Sequence, residues 1–234
     1  MSLNYGDYLL PPEFSNVVRL FPLPNLVLFP GVVQALHLFE PRYRSMMVDA
    51  LAADELITMA WLKPDWKTAI AERPPIAETV CVGKILSHTE LDDGRYNLFL
   101  VGAKRARIVT ELSSETPYRM AEVEILEDFD AGLTDLERLR NRIVSAFRDL
   151  ATFRSGWDQE AMDQFVDDDL PFGHLVDMIC YACGASPDQQ QAVLEASELG
   201  QRGEMVLRLL QEQVESVKKE STPKQDFPPD FSLN

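Results

Sequence analysis

A proline-broken apolar stretch from Phe21 to Arg44, FPLPNLVLFPGVVQALHLFEPRYR, constrains the fold more than any other part of the chain. Its hydrophobicity demands burial. Pro22, Pro24 and Pro30 each lack a backbone donor, however, so the pieces between them suit strand starts, edge strands and turns, not a helix interior. The stretch is expected to form short extended segments, a turn at Pro30-Gly31 and a strand from Val32 to Phe39. From Glu40 the period changes, and Tyr43, Met46, Met47, Ala50 and Leu51 share one helical face. Pro41 suits the first helical position because its missing N–H would have no partner within the helix, which leaves Glu40 as the N-cap.

Residues 55–62, ELITMAWL, read as a buried strand, and 63–78 as a long Pro-bearing loop around Trp66. The runs 79–90 and 95–101 flank Asp92-Asp93-Gly94 and predict a hairpin, with Gly94 taking the positive φ of the turn. Gly102 interrupts the second strand as a bulge or bend, pairing resumes from Ala103 to Leu112, and 118–126 adds one more alternating strand. Six or so short strands and one helix make a small closed or partly open sheet.

At Thr134 the pattern turns helical. Thr134 to Glu137 reads as a capping box, followed by the stripe Leu136, Leu139, Ile143, Phe147 and Leu150. A second helical piece is expected over 159–166 after Gly156, and a third carries Leu175, Ile179 and Tyr181 and ends at Gly184. Ser186, Pro187 and Gln189 open a fourth. A fifth bears Met205, Val206, Leu209, Leu210, Val214 and Val217. The expected division is an arm over 1–16, a β-domain over 17–127, a helical bundle over 128–218 and a loose tail over 219–234.

The net charge of -16 repels phosphate backbones and anionic lipid surfaces, and no apolar run reaches the ~18–20 residues of a membrane helix. An N-terminus without a basic region or apolar core, and three cysteines, an odd number, point to the cytoplasm. Cys180 and Cys183 lie one helical turn apart without a βαβ context or further metal ligands nearby, so they read as buried core residues; His37, His88 and His174 stand singly. There is no Gly-x-Ser-x-Gly. Gly83-Lys84 lacks the first glycine of a phosphate-binding loop, since Glu78 stands there. The acidic run Asp167 to Asp169 suits a helix N-terminus better than a cation. No catalytic group, metal site or cofactor is expected, and an undetected hydrolase has no residue constellation behind it.

The opening stretch resembles the start of the N-terminal domain of the Lon protease family, in its Phe-Pro-Leu segment, its Phe-Pro-Gly strand end and its Phe-Glu-Pro-Arg-Tyr helix start. Val82 to Ile85, Asp93 to Tyr96, Gly102 to Arg105, Pro117 to Arg119 and the helical Gln190 to Glu195 match later family features at similar spacing. The likeness covers about residues 17 to 215. It implies an α+β fold, a PUA-like β-barrel domain followed by an α-helical bundle, with Pro22, Pro30, Gly31, Phe39, Glu40, Pro41, Arg42, Tyr43, Gly83, Gly94 and Gly102 as framework. The resemblance further implies a non-catalytic module for unfolded or flexible polypeptides, serving in protein quality control, with a separate protease or ATPase as a further partner. The chain is expected to be a stand-alone protein without the family's ATPase and protease domains. Leu26, Phe29, Trp61 and Trp66 are the expected polypeptide contacts. The alternative is RNA binding through a basic patch of Lys84, Arg95, Lys104, Arg105 and Arg107. Nucleic acid is the less favoured class, no membrane partner is expected, and the sequence leaves the oligomeric state open.

Overall fold

A computed structural model describes residues 10–64, 73–153 and 170–221. The strands are β1 (Val17–Leu23), β2 (Val33–Leu38), β3 (Leu56–Trp61), β4 (Thr79–Glu90), β5 (Tyr96–Leu112) and β6 (Arg119–Ile125). The helices are α1 (Pro41–Leu51), α2 (Leu136–Ala151), α3 (Phe172–Ala182), α4 (Pro187–Glu195) and α5 (Leu199–Ser221). The piece expected over 159–166 and the Asp167 to Asp169 run lie outside the described residues. Among the described residues no helix is long and apolar enough to cross a membrane.

The six strands form one sheet in the order β2-β5-β4-β3-β1-β6, and a further β5–β6 pairing closes it into a barrel. Only β1 and β3 run parallel, joined by the β2–α1 crossover. Strand β1 changes partner at Leu20: Val17 to Leu20 pair with β6, and Leu20 to Leu23 with β3. The strand therefore runs through Pro22, because that half has one neighbour and needs no N–H there.

Strand β5 is 17 residues long and is shared by two structures. Its second half pairs with β6 and closes the barrel, from Ala106 opposite Ile125 to Leu112 opposite Met120. Its first half pairs with β2, from Val33 opposite Val101 to Leu38 opposite Tyr96, and β4 follows both halves. The chain thus builds a barrel with a three-stranded flange, β2-β5-β4, extending from it. The joint is Gly102, where the β4–β5 register shifts and Pro30 bridges to the glycine. Leu26 to Phe29 join no ladder and cross the sheet as a buried connector whose end is fixed by Gly31 N–H to Gly102 C=O, 2.8 Å. Gly31 takes φ +77, a conformation L side chains rarely adopt.

Strand alternation sorts apolar residues into two cores. Val18, Leu20, Leu56, Ala60, Val80, Val82, Ala106, Ala121 and Val123 fill the barrel, against which Leu10 and Phe14 of the arm pack. The opposite phase, including Phe21, Ile57, Met59, Cys81 and Leu100, joins Met46 and Met47 of α1 and Leu139, Ile143, Phe147, Leu175, Ile179 and Leu210 of the helices in one continuous core.

Helix starts follow local capping chemistry. Helix α1 begins at Pro41 after Glu40, and α4 has its capping box, with Ser186 N–H donating to Gln189 Oε1 at 3.0 Å. The box at Thr134 is displaced by one residue. Asp135 is the N-cap of α2 and accepts from Arg138 N–H at 3.0 Å, because a carboxylate one position nearer the helix reaches its free donors. Gly184 follows the end of α3 at φ +77, as expected. Cys180 and Cys183 are buried in the core, and burial pushes the Cys180 thiol up.

Candidate polypeptide-binding surface

Across β2 and β5 the flange has one packed face and one open face, while residues 86–90 of β4 are exposed in both phases. Residues paired across an antiparallel ladder point the same way, so Ala35 and His37 of β2, Asn97 and Phe99 of β5, and Ser87 and Thr89 of β4 share a face. All six are exposed, whereas Leu38, Tyr96, Leu98 and Leu100, on the other phase, are buried. Phe39 continues the Ala35–His37 phase beyond the end of β2. Two aromatic side chains therefore project from this face with most of their apolar surface uncovered: Phe39 is 60% exposed and Phe99 50%. A depression of about 310 Å³ lies here, lined in part by Ala35, His37, Ser87, Thr89, Asn97 and Phe99.

Exposed polar side chains make contacts across this face. His37 Nδ1 and Asn97 Oδ1 are 2.7 Å apart, and Arg95 Nη1 lies 3.3 Å from His37 Nε2. The His37 ring thus bridges Asn97 and Arg95 across β2 and β5. The His37 ring stacks on Phe39 at 6.1 Å. Arg95 also pairs with Asp93 at 2.6 Å, and the Arg95 backbone N–H, with the guanidinium, holds that carboxyl below its usual range. The turn between β4 and β5 closes at Gly94, φ +75.

The residues expected to contact polypeptide differ in exposure. Phe29 is fully buried in the core beneath Gly102, and Leu26 is half-buried on the same connector. Trp61 is half-buried, its indole N–H donating to Pro24 C=O at 2.9 Å. Trp66 lies outside the described residues. Of the expected basic patch, Arg95, Lys104 and Arg107 pair with Asp93, Glu127 and Glu124 at 2.6, 3.2 and 2.6 Å. Arg105 is buried, and Lys84 is half-buried. The framework residues cluster where the chain turns: Arg42 pairs with Glu40 at 2.8 Å and lies 4.6 Å from the Tyr43 ring, which meets Phe21 edge to face. Gly83 pairs with Gly102 at the register shift.

Between barrel and helices lies another cavity, of about 340 Å³, whose lining mixes apolar Pro30, Leu126, Phe172 and Leu199 with the charged Arg105, Asp128 and Asp177. Arg105 donates to the carbonyls of Leu194, 3.0 Å, and Ala196, 2.8 Å, at the end of α4, and to Asp128. Asp128 also receives Arg202 of α5, whose other nitrogen lies 3.3 Å from Asp177 of α3. Burial raises the Asp177 carboxyl to about 7, against the lowering pull of Arg202 and Arg105. These contacts join barrel to helices, with Asp128 shared by both arginines. Among the described residues no group of His, Cys, Asp or Glu is arranged to hold a metal.

Phe99 carried a sequence signal. In RYNLFLV it occupies the phase of Arg95 and Asn97, so an aromatic stands on the polar side of an alternating strand. That β2 would be the outer strand could be read only from the topology.

The model of the ATP-dependent protease La (LON) substrate-binding domain matches residues 17–212. Lon protease 2 of Myxococcus xanthus is 27% identical over 217 residues, covering 88% of this chain and 25% of that protein. The Lon protease of Dictyoglomus thermophilum is 24% identical over 205 residues, with 87% and 25% covered. The chain thus spans about a quarter of the length of these curated relatives. Among solved structures, a Lon N-terminal domain protein from Xanthomonas campestris superposes with a TM-score of 0.59 at 20% identity, covering 82% of this chain and 97% of that one. The N-terminal domain of the Mycobacterium avium complex Lon protease gives 0.59 at 19%, with 85% and 98% covered. Both share its α+β fold.

Proposed function

The chain belongs to the Lon substrate-binding domain family, and from that premise we propose that it is a non-catalytic module that binds unfolded polypeptide on the open face of the flange. One observation carries the choice of surface: Phe39 and Phe99 stand exposed on the same face, beside the outermost strand of the sheet. Exposed aromatics next to an adaptable polar surface give large contact area at small entropic cost, as a binder of varied sequences requires. The cavity between barrel and helices is less suited, because its ionic groups are committed to one another and an apolar segment would strand them.

A role in protein quality control, as an adaptor that presents clients to a separate protease or ATPase, fits such a module. The nucleic-acid alternative is the less favoured reading: of Lys84, Arg95, Lys104, Arg105 and Arg107, the last four each meet a carboxylate. The test is a fluorescence titration, in about 0.3 M salt so that the negative charge of both proteins is screened, of the chain into labelled, reduced and carboxymethylated α-lactalbumin, which cannot fold. Saturable binding in the micromolar range supports the reading; no binding, with the chain folded by circular dichroism, overturns it.

A further inference from the structure

Resting on the polypeptide-binding reading, we infer that the outer edge of β2 takes up an extended, non-acidic polypeptide segment as an added strand, and that the Gln34 amide is the internal stand-in which this segment displaces. Among the described residues β2 has one strand neighbour, β5. Its bonding phase follows from Gly102 N–H to Val32 C=O, 2.9 Å, at the start of the ladder. Bonded and non-bonded pairs alternate in an antiparallel ladder, so Gln34 and Leu36 bond inward to β5 while Val33, Ala35 and His37 turn N–H and C=O to the outside.

One of those outward groups already has a substitute partner. Gln34 Nε2 donates to the Ala35 carbonyl at 2.8 Å, the role a neighbouring strand's N–H would fill. Its Oε1 in turn accepts from the Tyr181 hydroxyl of α3, which ties the amide to the helices. Sheet edges that must stay solitary carry lysine, proline, an inward charge or a bulge. The segment Val33–Leu38, VQALHL, has none of these, and its guard is a single side-chain amide that can swing away.

An added strand would direct alternate side chains over Ala35 and His37 towards Phe39 and Phe99, so apolar residues at every second position suit it. A second copy of this chain is the rival occupant, but it carries the same net charge of -16 and is repelled, whereas a neutral or basic segment is attracted.

The probe is a labelled synthetic peptide alternating valine and lysine, alongside a version N-methylated at alternate residues, which has the same charge but lacks the donors for one edge. The full chain is titrated with both peptides and with carboxymethylated α-lactalbumin, as are Ala35→Pro, which removes an outward N–H, and Gln34→Ala. N-methylation weakens binding to the unaltered chain by roughly tenfold or more, Ala35→Pro weakens the plain peptide to a similar degree, and Gln34→Ala tightens it roughly threefold. The N-methylation arm uses the unaltered protein, so a folding defect in a variant does not decide the outcome. Equal affinity for the two peptides overturns strand addition while α-lactalbumin binding keeps the broader reading. Failure of all probes to bind removes both. Sedimentation that shows self-association lost in Ala35→Pro assigns the edge to a second copy and overturns the proposed occupant.

Discussion

Gly102 lies so close to Phe29 that a Cβ on the glycine would sit 2.0 Å from the Phe29 carbonyl oxygen. The obstacle is backbone, which cannot rotate away as a side chain could. This contact sets the joint between barrel and flange, because the connector passes under β5 at the point where β5 changes partner. Gly102→Ala should therefore lower stability by about 3 kcal/mol or more, or prevent folding, as judged by urea denaturation.

Asp128 is the counter-ion of two buried cations, Arg105 at 2% exposure and Arg202 at 0%. Asp128→Asn keeps the shape and removes the charge, leaving two buried guanidinium groups with only Asp177, whose carboxyl is itself raised by burial. A loss of about 3 kcal/mol is expected in urea denaturation. An unchanged midpoint would show that the pairing contributes nothing net.

Asp177 gives a pH dependence of definite sign. Its folded-state value, about 7, stands above the ordinary 3.8, so the folded chain keeps a proton that the unfolded chain has released. The stability this group contributes is greatest below pH 3.8, falls as pH rises, and levels off above about pH 7. Asp177→Asn should flatten the denaturation profile across that window relative to the unaltered chain. Parallel profiles would contradict the assignment.

Phe99 separates binding from stability. Its ring is half exposed, so Phe99→Ser should change stability by no more than about 0.5 kcal/mol. The same substitution should weaken binding of carboxymethylated α-lactalbumin by roughly fivefold or more in the fluorescence titration.

Much of the scaffold was legible because it rests on local chemistry. The start of α1 at Glu40-Pro41, the turn at Gly94 and the box at Ser186 each depend on residues a few positions apart. The joint at Gly102 was legible as an interruption, although its cause, the Phe29 carbonyl, belongs to a segment far back in the chain. The site was harder to read. Arg105 looked like a surface cation because its partners at Leu194 and Ala196 lie 89 and 91 residues further on. Phe29 looked like a candidate contact because hydrophobicity does not distinguish a buried connector from an exposed anchor. Periodicity gives the phase of a strand, but which strand stays outermost depends on long-range pairing, and that decides where Phe39, Phe99 and Gln34 point.

The most direct test of the central claim is backbone amide NMR of the folded chain titrated with carboxymethylated α-lactalbumin. Shifts concentrated at Ala35, His37, Phe39, Asn97 and Phe99 are predicted, with the amides around Asp128 and Asp177 unmoved. Shifts confined to the cavity between barrel and helices, with the flange silent, would contradict the account.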